Sequence, residues 1–121
     1  MMAEYAEALK RNGIDYDGAM ERFGGIAELY ERLALKFLDD THFAALEQAL
    51  AGGDVDTAVR EAHTLKGVAG NLSFAALYEA ASKVNAALRE GDLAGATALM
   101  DPVRSAHAAV VSALSSLRDA R

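Results

Sequence analysis

Apolar residues recur at three- and four-residue intervals along most of this chain, and short polar or glycine-containing breaks divide the pattern into segments. That period predicts amphipathic helices throughout. Ala3 to Arg11 forms a short first segment, stopped by Asn12-Gly13. Asp15 caps a second that runs through Phe23 and ends at Gly24-Gly25. Ile26, Leu29, Tyr30, Leu33 and Phe37, then Phe43, Leu46 and Leu50, keep helical spacing on either side of Asp39-Asp40-Thr41. Those three polar residues either kink one long helix or separate two shorter ones. Ala51-Gly52-Gly53 is a stop, and Asp54 is an N-cap for the next helix. That helix spans Val55 to Asn71, with Val55, Ala58, Val59, Ala62, Leu65, Ala69 and Leu72 as its apolar stripe. Ser73 is the expected cap of a helix from Phe74 to Arg89, with Leu77, Ala81, Val84 and Leu88 inward. Gly91-Asp92 separates it from a last helix over Leu93 to Leu117, where Pro102 marks either a kink or the first turn of a second piece.

Long amphipathic segments joined by two- or three-residue turns imply antiparallel neighbours. The expected fold is all-α: an antiparallel up-down-up-down four-helix bundle over 26–118 with short N-terminal helices, 3–23, packed on it, in one domain spanning 1–121. Composition favours the same class, since 52% of residues are hydrophobic, one is proline and β-branched residues are few. A chain of 121 residues fits a single core. The absence of cysteine excludes disulfides, thiolate zinc sites and cysteine nucleophiles. A net charge of -6 argues against general nucleic-acid binding, which needs a basic face. No apolar run approaches the roughly 20 residues of a membrane span, and the first ten residues lack a signal-peptide pattern. A cytoplasmic protein, or a domain of a larger cytoplasmic one, is expected. With no second apolar stripe in view, a monomer is expected too.

The chemistry concentrates in Ala62-His63-Thr64-Leu65-Lys66-Gly67-Val68-Ala69-Gly70-Asn71. A glycine inside a helix costs roughly 1 kcal/mol relative to alanine, and this stretch holds two in a chain otherwise free with alanine. At about 100° per residue, His63 lies roughly 130° from the centre of the apolar stripe. Lys66, Gly67 and Gly70 share its face as i+3, i+4 and i+7 neighbours. The pattern describes an exposed imidazole with a cation one turn along and bare backbone beside it. A neutral imidazole, with an unperturbed pKa of about 6.5, is a good nucleophile near neutral pH. It can take a phosphoryl group on a ring nitrogen, and a lysine one turn away can stabilise the new anion as a point charge. Phosphoryl transfer asks mostly for in-line positioning and charge neutralisation. A convex helix face cannot surround the group, so the rest of the active site, including any Mg²⁺, must come from a partner.

His63-Thr64-Leu65-Lys66-Gly67 followed by Gly70-Asn71 resembles the signature of histidine-containing phosphotransfer (HPt) domains. Glu21-Arg22-Phe23-Gly24-Gly25 with Leu29-Tyr30, and Gly91-Asp92-Leu93 before the last helix, look like the same family, so that the resemblance runs from about Gly13 to Leu117. It implies a four-helix bundle that carries a phosphoryl group on one histidine and exchanges it with the aspartate of receiver domains, in response regulators or hybrid histidine kinases, without binding ATP. His63 would then be the phosphorylated nucleophile, Lys66 its electrostatic support and Gly67 the clearance residue, with Gly70 extending the clearance. The family places a polar side chain on the neighbouring helix near the histidine; Asn85 is the first candidate here and Lys83 the second. No cofactor of the chain's own is implied, and the Mg²⁺ belongs to the receiver. The protein would be a stoichiometric carrier, an enzyme only in a loose sense.

Other chemistries fit less well. Di-iron bundles use Glu-x-x-His pairs on facing helices, whereas Glu61-Ala62-His63 has an i, i+2 spacing that splits the two side chains between faces. No metal site is expected. No strand–turn–helix nucleophile elbow is present for a hydrolase. His42 and His107 read as structural, and Phe23, Phe37, Phe43 and Phe74 as core. The alternative function is a phosphorylation-independent adaptor that binds a receiver or another regulator through the same face. A pure binding face, however, has no need of a nucleophile.

Overall fold

The computed structural model describes residues 2–120, with side chains from residue 5 onward. All of its regular structure is helical. Two short helices, α1 (Met2–Arg11) and α2 (Tyr16–Arg22), lead into α3 (Ala27–Leu35) and a 3-10 turn, Lys36–Asp39. Then follow α4 (His42–Ala51), α5 (Val55–Asn71), α6 (Ala75–Arg89), the short α7 (Leu93–Ala98) and α8 (Met100–Ala120).

Two open boundaries close as separations. Asp40 takes an extended conformation (φ -71°, ψ 135°), and its Oδ1 accepts the His42 backbone N–H at 2.8 Å, so α4 starts afresh instead of continuing α3. The expected last helix divides into α7 and α8, with Pro102 in the first turn of α8. There its missing N–H is one of the donors a helix leaves unpaired anyway. Asp15, Asp54 and Asp92 cap as expected, accepting the backbone N–H of Gly18, Thr57 and Gly95.

Ser73 corrects its expected role. It does not cap α6, whose N-cap is Phe74 with no side-chain hydrogen bond. Ser73 instead ends α5. Its φ is +59°, the only positive value at a non-glycine among the described residues. Ser73 N–H bonds the Gly70 carbonyl at 3.2 Å and Phe74 N–H the Ala69 carbonyl at 2.8 Å, the paired bonds of a Schellman ending. Phe74 and Ala69, the positions of that motif's hydrophobic contact, are both fully buried. A left-handed residue with a side chain costs of order 1 kcal/mol. Ser73→Gly should therefore stabilise the protein by roughly 0.5–1 kcal/mol, read as a higher urea midpoint; an unchanged or lower midpoint would contradict the strain.

The core forms where α5 meets its neighbours. Ala58, Ala62, Leu65 and Ala69 of α5 are fully buried, and so are Leu77, Ala81 and Val84 of α6. Small side chains let the two backbones approach closely. Tyr78 meets Gly70 while Asn85 meets Val59, so α5 and α6 run in opposite directions. The N-terminal helices are locked to the far end of α5. Asp15 N–H donates to the Ser73 carbonyl at 2.7 Å, and Tyr30 Oη donates to the Leu72 carbonyl at 2.6 Å. Burial raises the Tyr30 phenol well above its ordinary pKa, so it stays a donor. Tyr16 and Phe23 pack edge-on against its ring, with centroids 6.2 and 5.3 Å away. This lock holds α2 beside the face that carries His63. No helix among the described residues is long and apolar enough to cross a membrane.

Candidate functional site

The helical stripe through residues 63, 66, 67 and 70 emerges on the outside of α5. His63 and Gly67 are exposed and Lys66 and Gly70 half-buried, while Ala62, Leu65 and Ala69 between them have no exposed surface. The alternation follows from 3.6 residues per turn: the residues that bury α5 are the ones that turn His63 outward. Among the described residues Lys66 makes no side-chain hydrogen bond or ion pair. Its ammonium is thus free for an anion arriving one turn away. A Cβ built on Gly67 would meet nothing within 4 Å. The space over that position is open, as clearance for a partner requires.

His63 and Lys66 lie along an open groove of about 1020 Å³. Its second wall is α6, through Tyr78, Ser82 and Lys83, and one end is formed by Asp15 and Arg22 beside and within α2. Lys83 pairs loosely with Glu79 of its own helix at 3.7 Å, both side chains being well exposed; such a surface pair adds little. Arg22 has no side-chain hydrogen bond or ion pair among the described residues.

Two expected site residues have other duties. Gly70 lines the groove, but a Cβ there would stand 3.1 Å from two ring carbons of Tyr78. Its bare backbone accommodates an aromatic side chain of this same chain. Asn85 is 2% exposed, and its Nδ2 donates to the Val59 carbonyl oxygen at 3.4 Å. The amide is spent inside the α5–α6 contact, one turn before His63, so it is not a partner-facing group. The polar side chains of α6 that reach the groove are Ser82 and the second candidate, Lys83. Tyr78 and Arg22 also line the groove, and the sequence singles out neither as a site residue. Tyr78 carried one usable signal, a large aromatic lying off the Leu77–Ala81–Val84 stripe.

The remaining histidines hold structure. His42 Nδ1 lies 2.9 Å from Glu61 Oε2 and joins α4 to α5. His107 stacks on Phe43 with centroids 4.1 Å apart and leans on Phe37 at 5.6 Å. Burial lowers the His107 pKa from its ordinary value of 6.5, although Asp40 and Glu47 pull it upward. The fold therefore favours the neutral ring, and the unfolded chain binds the extra proton first as pH falls. Stability from this group is complete above about pH 6.5 and is lost as pH drops through the lower folded value. The urea midpoint should fall between pH 7.5 and pH 5, and less steeply in His107→Phe. Equal slopes would remove His107 from the account.

The sequence profile of the Hpt domain family matches residues 37–120. The chain belongs to the Hpt domain family, whose members are histidine phosphotransfer modules of phosphorelays and carry a phosphoryl group without being typical enzymes. The match holds the His63–Asn71 stretch and α4 to α8, and it leaves out α1 to α3. The comparisons with curated proteins and with solved structures find no match.

Proposed function

We propose that this chain carries a phosphoryl group on His63 between receiver domains of a multistep phosphorelay. A receiver bearing an aspartyl phosphate docks over the groove. A nitrogen of the neutral His63 ring attacks phosphorus in line, an N–P bond forms, the acyl-phosphate O–P bond breaks, and its electron pair returns to the aspartate carboxylate. Lys66 offsets the charge that arrives on the helix surface, and Gly67 lets the partner come close enough for in-line attack. The receiver supplies Mg²⁺, and the reverse reaction passes the group to a second receiver. The proposal includes a monomer acting in the cytoplasm, a single domain over 1–121, whose end residues 1 and 121 lie outside the described ones, and alternating directions for α4, α5, α6 and α8.

One observation carries most of the weight. The chain turns the His63 imidazole outward beside an ammonium that has no partner among the described residues and a backbone position with open space above it. An adaptor that only binds receivers would use the groove and have no use for the nucleophile. Mixing the protein with phosphorylated receivers separates the two. The carrier takes up label that is labile in acid and stable in alkali; the adaptor binds and stays unlabelled. ATP alone should label nothing.

A further inference from the structure

We propose that Arg22 is a docking residue for the receiver, a cation that the N-terminal helices add to the His63 groove. This rests on the carrier function above and adds a specificity-determining position to it. Four observations converge on Arg22. It ends α2 and lines the same groove as His63 and Lys66. It is exposed, and among the described residues it has no side-chain hydrogen bond or ion pair. Lys10, Lys83, Arg104 and Arg118 each pair with a carboxylate, whereas Arg11, Arg22, Arg32, Lys36 and Arg89 are exposed without one among the described residues, and of those five Arg22 is the one that lines the His63 groove. Finally, α2 is held in place, through Asp15 on Ser73 and the Tyr16, Phe23 and Tyr30 rings.

The partner's chemistry matches. A surface that keeps a phosphorylatable aspartate and gathers oxygen ligands for Mg²⁺ is rich in carboxylates. A guanidinium at the end of the groove can take one of them in a two-pronged hydrogen-bonded pair. At the rim of an interface such a charge acts mainly on the association rate and its salt dependence. Arg22 also lies outside the segment that matches the family, residues 37–120. The matched segment therefore supplies the nucleophile and its lysine, while α2, outside that segment, supplies a contact that distinguishes among receivers.

Two phosphoryl donors test this. Phosphorylated receivers must dock; phosphoramidate, a small donor that loses ammonia as its P–N bond breaks, need not. At 50 mM salt, Arg22→Glu should slow labelling by receivers about tenfold and Arg22→Gln about threefold, with both gaps narrowing at 500 mM salt. Labelling by phosphoramidate should be unchanged in both. Arg32→Glu makes the same change in net charge on the exposed face of α3 and should leave both rates alone. Equal receiver rates in wild type and Arg22→Glu would overturn the assignment to Arg22 alone. So would a matching loss with phosphoramidate, or an equal loss in Arg32→Glu. Failure of every receiver to label the wild-type chain would overturn the carrier function itself.

Discussion

His63→Gln should abolish phosphoryl acceptance from receivers, a loss of at least about a thousandfold, while leaving the fold as stable as the wild type to within about 0.5 kcal/mol. The two halves of that expectation come from one geometric fact. The His63 side chain leaves α5 on the exposed side, away from Ala62 and Leu65, and makes no hydrogen bond within the chain among the described residues. Glutamine therefore removes no packing and strands no buried partner. It does remove the only ring nitrogen on this face among the described residues, and an amide nitrogen, whose lone pair is delocalised into its carbonyl, does not attack phosphorus. The two measurements are label uptake and thermal unfolding. Label uptake by the variant at the wild-type rate would place the nucleophile elsewhere, and His42 and His107 are already committed to Glu61 and to Phe43.

Gly67→Leu should separate stability from function in opposite directions. Glycine in mid-helix costs roughly 1 kcal/mol relative to a good helix former, and a Cβ at position 67 meets nothing within 4 Å. Leucine there should raise stability by about 0.5–1 kcal/mol. The same side chain stands in the space one turn from His63 that a partner must enter. Displacing a docked phosphoryl donor by about 1 Å is enough to cost about a hundredfold in rate. Transfer from receivers should fall by that order, and labelling by a small donor should fall far less. A variant that is more stable and transfers normally would show that the glycine serves something other than approach. Gly70 makes the contrast instructive: its neighbourhood is occupied by Tyr78, so the two glycines of the stretch answer to different physical demands.

Much of this architecture is legible in the residues. The α5 stripe works because four alternating small or branched residues bury completely and so fix which way His63 points. The three aspartate caps are local, since each needs only its own backbone a turn away. What could not be read depends on groups far apart in sequence or on alternatives of nearly equal cost. Asp39-Asp40-Thr41 suits either a kink or a break, and the Asp40 bond to the His42 N–H decides it. Ser73 looks like a cap because serine usually is one; the tie from Asp15 and the burial of Phe74 hold it in a conformation that glycine normally takes. Asn85 looks like a site residue because the resemblance implies a polar side chain on the helix beside His63, yet its helical position turns it into the contact with α5. Arg22 lies about forty residues before His63, and only the tertiary lock of α2 brings the two to one groove.

The central claim is that the phosphoryl group is carried on one particular histidine of three. Peptide mapping by mass spectrometry at alkaline pH, after incubation with a phosphorylated receiver, tests it most directly. The added phosphoryl mass should fall on the peptide containing His63 and be absent from those containing His42 and His107. Modification of either of the others, or of none while the receiver is bound, would contradict it.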